Sequence, residues 1–125
     1  MKAILQISMI VLSLILTNCL DEKEEIKYAG VWRIDHYYVN SEDQTINYMS
    51  THRDHLIYLS PNMLFKEKWI SKNGPYEVNG TWRLSDHNNQ IVLNDQVNGE
   101  RDYRLKYYFY MSIKAGDQEW IFKKM

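Results

Sequence analysis

The chain has 125 residues, which gives room for one domain. Charged residues make up 25% of it, and this share argues against a disordered protein. A formal net charge of -1 leaves no basic surplus to neutralise phosphates, so nucleic acid is not expected as a partner. The single cysteine excludes an intramolecular disulfide and a thiolate metal cluster.

The first eighteen residues have the pattern of a secretory signal peptide. Lys2 precedes an apolar run over residues 4–16, which is short for a membrane span of about 20 residues. The run ends in Leu16-Thr17-Asn18-Cys19, which resembles the lipobox of bacterial lipoproteins, where the cysteine becomes the lipidated first residue. We therefore predict lipid attachment at Cys19. The alternative is an uncleaved N-terminal anchor helix with an incidental cysteine.

A charged segment follows the cysteine. Residues 21–25 are all acidic or basic, so they are expected to form a solvated tether. Lys23-Glu24-Glu25 resembles the surface-export tether of Bacteroidetes lipoproteins, although an ordinary spacer has the same composition. The prediction is an outer-membrane lipoprotein of the bacterial cell envelope, on the periplasmic face or the cell surface. Its parts are a signal peptide (1–18), the lipidated cysteine with its tether (19–27) and a folded domain (28–125).

From residue 28 onward the sequence alternates between apolar and polar residues, with turn signals every eight to twelve positions. This pattern indicates an all-β domain. The clearest alternation places Tyr76, Val78 and Trp82 on one face, and a second places Trp32 and Tyr38 on one face. The predicted strands are 31–39, 55–59, 63–70, 76–84, 90–93, 101–106, 108–114 and 118–123. Eight strands joined by short turns favour an antiparallel up-and-down barrel.

Short motifs on the first and last strands resemble a known family. Gly30-Val31-Trp32 resembles the Gly-x-Trp signature of lipocalins, in which the tryptophan plugs one end of an eight-stranded barrel. A similar segment, Gly80-Thr81-Trp82, and the closing residues 120–124 are similar to the small lipocalin-like lipoproteins of Bacteroidetes. The resemblance covers about residues 28–125. It implies a lipocalin-like barrel that Gly30 and Trp32 close at one end, with a cation from Lys123 or Lys124 over the ring.

The titratable residues do not form a recognisable catalytic motif. His52 and His55 would face opposite sides of a strand, so a surface loop is a better interpretation than a metal site. A carboxylate pair of Glu67 and Glu77 across a hairpin is conceivable, but the alternation turns Glu77 toward solvent. Nucleophile motifs and phosphate-binding loops are absent from the sequence. We therefore expect no enzyme activity, no metal and no cofactor.

The aromatic residues carry the functional hypotheses. Alternation predicts that ten of them face inward: Trp32, Tyr38, Phe65, Trp69, Tyr76, Trp82, Tyr103, Phe109, Trp120 and Phe122. They could fill a packed core, or some could line a pocket for a small apolar or amphipathic ligand. The residues predicted to bind such a ligand are Phe65, Trp69, Tyr76, Trp82 and Tyr103, in a pocket nearer the end opposite Trp32.

A second hypothesis places the function on the outer face. Tyr37, Tyr58, Tyr108 and Tyr110 have the opposite parity and are predicted to point outward. Exposed tyrosines suit contact with another protein. The chain would then be an envelope interaction module of the inhibitor or immunity type.

Overall fold

The computed structural model describes residues 25–85, 87, 89–107 and 109–125. The predicted signal peptide, Cys19 and most of the tether lie outside the described residues. The elements are β1 (Gly30–Val39), β2 (Glu42–Asp43), α1 (Thr45–Thr51), β3 (Arg53–Leu59), β4 (Leu64–Ser71), β5 (Gly74–Leu84), β6 (Gln90–Asp95), β7 (Gly99–Lys106), β8 (Tyr110–Ala115) and β9 (Gln118–Lys124). Within these residues, no helix combines the length and apolar character needed to cross a bilayer.

Eight strands form one closed antiparallel sheet. From β3 to β9 each strand pairs with the next in the chain, and β1 pairs with both β3 and β9, which closes the barrel. The two-residue β2 folds back on the end of β1 as a short extra strand. Closure leaves the eight long strands without a free edge. The predicted all-β, up-and-down, eight-stranded barrel is confirmed.

One end of the barrel is filled by Trp32. Its side chain is fully buried, and its indole Nε1–H donates to the carbonyl of Tyr28 at 2.9 Å. Gly30 has a φ of 133°, and a Cβ there would lie 3.3 Å from Lys124 Cε. The Nζ of Lys124 donates to the carbonyl of Lys27, so the segment before β1 is tied to the end of β9. We call this the closed end.

The second glycine–tryptophan segment occupies a similar setting in β5. A Cβ at Gly80 would lie 2.1 Å from the carbonyl oxygen of Asn94 and 2.6 Å from Phe65, so β5 could not accept a side chain there without moving β6. Trp82 is buried, and its Nε1–H donates to the carbonyl of Ser60 at 2.8 Å. In both segments the glycine permits a close approach, and the tryptophan fills the interior and bonds to a backbone carbonyl.

The predicted alternation is wrong in the second half of β1. The register with β9 shifts between Ile34 and His36, where one strand carries an extra residue in a β-bulge. The bulge exchanges the two faces of the strand beyond it. Tyr37 therefore packs against the core, contrary to the prediction that it points outward. Tyr38 stacks on the half-buried ring of His36 and belongs to neither the core nor the pocket described below.

The turn between β7 and β8 also departs from prediction. The alternation predicts that Phe109 faces inward, but this residue precedes β8 and is 59% exposed. Tyr107, just after β7, has a φ of 54° and is exposed. The strand predicted over 108–114 thus begins two residues later, and Tyr108 lies outside the described residues.

Candidate functional site

A cavity of about 850 Å³ opens at the end of the barrel opposite Trp32. A pocket at this end agrees with the expectation from the sequence. The end of β1, α1, the start of β3 and the turn between β8 and β9 surround its mouth. Five carboxamide side chains line this region: Asn40, Gln44, Asn47, Asn98 and Gln118. The opening is therefore polar, while the depth is largely aromatic.

A continuous row of rings forms one side of the cavity, and we call it the aromatic wall: Trp120, Tyr37, Tyr48, His52 and Trp69. Its ring centroids lie 5.5 Å apart between Trp120 and Tyr37, and 4.5 Å apart between Tyr37 and Tyr48. His52 stacks on Tyr48 at 4.1 Å and contacts Trp69 at 5.5 Å. These contacts fix the rings against one another, so the wall is preformed.

The helix α1 supplies the central ring of this wall. Asp43 accepts hydrogen bonds from the backbone N–H and hydroxyl of Thr45, and the Thr45 hydroxyl oxygen accepts from the backbone N–H of Tyr37. These bonds hold the start of α1 against β1. Tyr48 is the buried residue of the helix. The sequence did not predict α1, because seven residues are too few to show a helical period.

A buried polar network crosses the floor of the cavity, and we define it as Tyr48, His55, Glu67, Arg101 and Asp95. The Tyr48 hydroxyl lies 2.7 Å from His55 Nδ1, and His55 Nε2 lies 2.7 Å from Glu67 Oε2. Arg101 Nη2 lies 2.9 Å from Glu67 Oε1 and 3.3 Å from Asp95 Oδ2. The side chains of His55 and Glu67 are at most 5% exposed, so burial of these polar groups depends on mutual hydrogen bonding.

The position of His55 corrects the prediction of a surface loop for residues 52–55. The register between β3 and β4 shifts between Arg53 and Leu56, and Asp54 adopts a φ of 53°. This irregularity turns both His52 and His55 toward the cavity instead of to opposite sides. Within the described residues, no group of three or more histidine, cysteine or acidic side chains is arranged to hold a metal ion.

The charges of the network set its chemistry. Burial acts to raise the pKa of Glu67, but the hydrogen bond from His55 and the charge of Arg101 outweigh it, so the pKa lies below its ordinary value. Burial raises the pKa of the Tyr48 phenol, despite a hydrogen bond that acts in the opposite direction. Tyr48 therefore stays protonated and acts as a hydrogen-bonding group, whereas an activated nucleophile would need a lowered pKa.

Arg101 is held from several sides. Besides its contacts with the carboxylates of Glu67 and Asp95, Arg101 donates from Nη1 to the Tyr103 hydroxyl at 3.1 Å. Its Nε is buried and has no hydrogen-bond partner. Asp95 in turn accepts from the backbone N–H groups of Val97 and Asn98, which fixes the turn before β7. The guanidinium is thus an internal counter-ion with a fixed orientation.

The structure divides the residues predicted to bind a ligand. Trp69 and Tyr103 line the cavity. Phe65 and Trp82 are buried in the core, and Tyr76 stacks behind Trp69 with 3.8 Å between ring centroids. The Glu77 side chain on β5 points to solvent, as predicted. It therefore forms no carboxylate pair with the buried Glu67.

Sequence reasoning missed much of the polar network and the aromatic wall. One signal was available, because Glu67 alternates in step with Phe65 and Trp69, and Arg101 alternates in step with Tyr103. A charge at an inward position of a strand predicts a buried ion pair when two such positions exist. His55 likewise alternates in step with Ile57 and Leu59. No comparable signal marked Tyr37 or His52, which depend on the bulges.

Comparison with known proteins supports the fold. No family model and no curated protein matches this chain. A lipocalin-like protein from Bacteroides uniformis ATCC 8492 is similar in structure, with a TM-score of 0.57 and 15% identity over 79% of this chain and 99% of that one. An uncharacterized protein from Bacteroides eggerthii DSM 20697 gives a TM-score of 0.53 and 15% identity over 78% and 99% of the two chains. The chain therefore has a lipocalin-like barrel fold.

Proposed function

We propose that this protein is a membrane-anchored lipocalin-like lipoprotein of the bacterial envelope that binds a small amphipathic ligand inside its barrel. The observation that carries the proposal is the open cavity of about 850 Å³ at one end of the barrel. Small-molecule pockets typically have volumes of about 300–1,000 Å³ and combine apolar walls with a few placed polar groups. An open interior favours this function over an envelope interaction module, for which a filled barrel would be the expected form.

An amphipathic ligand matches the distribution of side chains. The aromatic wall offers apolar contact area, while the carboxamides at the mouth and the Tyr48 hydroxyl offer hydrogen bonds. Binding is favoured over catalysis because the buried network is largely satisfied internally and the Tyr48 phenol has a raised pKa.

Binding can be tested with a neutral fluorescent naphthylamine. We expect N-phenyl-1-naphthylamine to bind the mature chain in phosphatidylcholine nanodiscs, after correction for empty nanodiscs. Ala115→Trp should lower its affinity at least about tenfold, because Ala115 lines the mouth and a bulky ring there would occupy the cavity.

The matched control for the probe is Lys114→Trp. Lys114 precedes Ala115 on β8, and its side chain faces solvent with 76% exposure. This variant should bind the probe as the wild type does. Absence of probe binding by the wild type, or equal loss in both variants, would contradict the pocket and favour the interaction module.

The proposed anchor is consistent with the way the chain enters the barrel. Five residues lie between Cys19 and Glu25, and the six Cα–Cα steps that join these two positions can span at most about 20 Å. Glu25 shortly precedes β1 at the closed end, so a lipidated Cys19 would hold that end near the bilayer and leave the mouth facing away. Among the residues that the structure describes, five large exposed apolar side chains lie at the closed end and three others lie near the mouth. Those at the closed end are Ile26, Leu64, Tyr107, Phe109 and Met125.

Cys19→Ala is expected to release the protein from the membrane or to leave it unprocessed. The change removes the thiol that would carry the acyl chains, and stable anchoring takes more than one chain. The measurement is fractionation of cells followed by mass determination of the product. A variant that is processed and membrane-bound like the wild type would contradict the lipoprotein assignment.

A further inference from the structure

We propose that the ligand carries a positively charged organic ammonium group, bound by cation–π contact within the aromatic wall and by an excess of negative charge around the cavity. The inference rests on the proposed function and names the ligand class of that same pocket. It is carried by the charges and rings that line the cavity.

The charged groups at the cavity are mainly acidic. Glu42 and Glu67 line it, and Asp95 lies directly behind Arg101. The cavity and the network behind it thus hold three carboxylates and one guanidinium. Burial lowers the pKa of His52 and favours its neutral form. A proton on His55 would still leave one negative charge in excess.

Arg101, the one arginine of the lining, already has its Nη1 and Nη2 groups engaged, and its Nε is buried. Its Nη2 lies within 3.3 Å of both Glu67 and Asp95, and its Nη1 donates to Tyr103. An anionic head group would have to displace these partners and would be repelled by both carboxylates. The lysines at this end, Lys72 and Lys114, do not line the cavity. The site therefore disfavours carboxylate, sulfate and phosphate heads.

The aromatic wall can stabilise a bound cation that has lost part of its hydration shell. Tryptophan and tyrosine faces attract ammonium groups through the negative potential of their π-systems, and the attraction grows as the site becomes drier. Trp120, Tyr37, Tyr48 and Trp69 bring four such rings to one side of the cavity. A soft, weakly hydrated ammonium group with apolar substituents fits both the rings and the surplus of carboxylates.

The test compares three probes that share a benzyl group and differ in charge. They are benzyltrimethylammonium, its uncharged carbon analogue neopentylbenzene, and phenylmethanesulfonate. Each competes with N-phenyl-1-naphthylamine on the mature chain in phosphatidylcholine nanodiscs, whose zwitterionic lipid favours neither ion. We expect the cation to bind at least about tenfold more tightly than the anion and several-fold more tightly than the neutral analogue.

Two variants test the origin of the preference. Glu42→Gln should weaken binding of the cation about two- to five-fold and leave that of the neutral analogue unchanged, because an exposed carboxylate acts mainly through charge. Glu77→Gln is the matched control, since Glu77 lies on the outer face and should change neither. Trp120→Leu should weaken the cation more than the neutral analogue.

The outcomes separate this inference from the proposed function. Equal or tighter binding of the anion or the neutral analogue would overturn the ammonium proposal and leave ligand binding intact. Binding of the naphthylamine with no displacement by any of the three probes would also overturn it. Failure of the naphthylamine itself to bind would instead contradict the proposed function.

Discussion

Replacing Trp32 by alanine is expected to lower the free energy of unfolding by about 3–5 kcal/mol. The side chain is fully buried at the closed end, where β1 meets both β3 and β9. Truncation would leave a cavity among strands that the barrel closure holds in place, and it would leave the Tyr28 carbonyl without its indole donor. Such a loss is a large share of the stability of a small domain.

Urea denaturation measures this effect, with Arg33→Ala as the control. Arg33 is the next residue on β1 and is exposed, so its truncation should change stability by less than about 0.5 kcal/mol. A loss below about 1 kcal/mol for Trp32→Ala would contradict a core role for this ring.

The Glu67→Gln variant is expected to lose about 3 kcal/mol of stability at neutral pH. The amide keeps the shape of the side chain but removes the negative charge between Arg101 and His55. Removal of one partner from a buried ion pair leaves the other charge uncompensated, which typically costs about 3–5 kcal/mol. The value should lie at the low end because Asp95 still faces Arg101. Glu77→Gln on the outer face is the control, with little expected change.

The same variant should change how stability depends on pH. The pKa of Glu67 is lowered in the folded protein, so ionised Glu67 stabilises the fold above the ordinary value of 4.5. That contribution is lost as the pH falls from 4.5 through the lower folded pKa. The stability difference between wild type and Glu67→Gln should therefore be constant near neutrality and shrink in acid. A difference that stays constant to the lowest pH at which both proteins fold would contradict the ionised pair.

The sequence alone determined the type of fold and the closed end. Strict alternation in residues 76–84 placed Val78 and Trp82 inside, and the structure agrees. The turn signals marked most strand ends, because Gly and Asn adopt backbone angles that strands exclude. The glycine–tryptophan segments stood out for a physical reason, since Gly80 is the position where another backbone comes too close for a side chain.

Only the tertiary structure decided which residues form the pocket. The bulges in β1 and β3 turn Tyr37 and His52 inward, and a bulge has no periodic signal because it depends on how two strands align. Glu67 and Arg101 lie far apart in the chain and become a pair through closure of the barrel. The interior could have been solid or hollow with the same alternation. The structure leaves it open at one end, where α1 and the bulged strands β1 and β3 supply part of the lining.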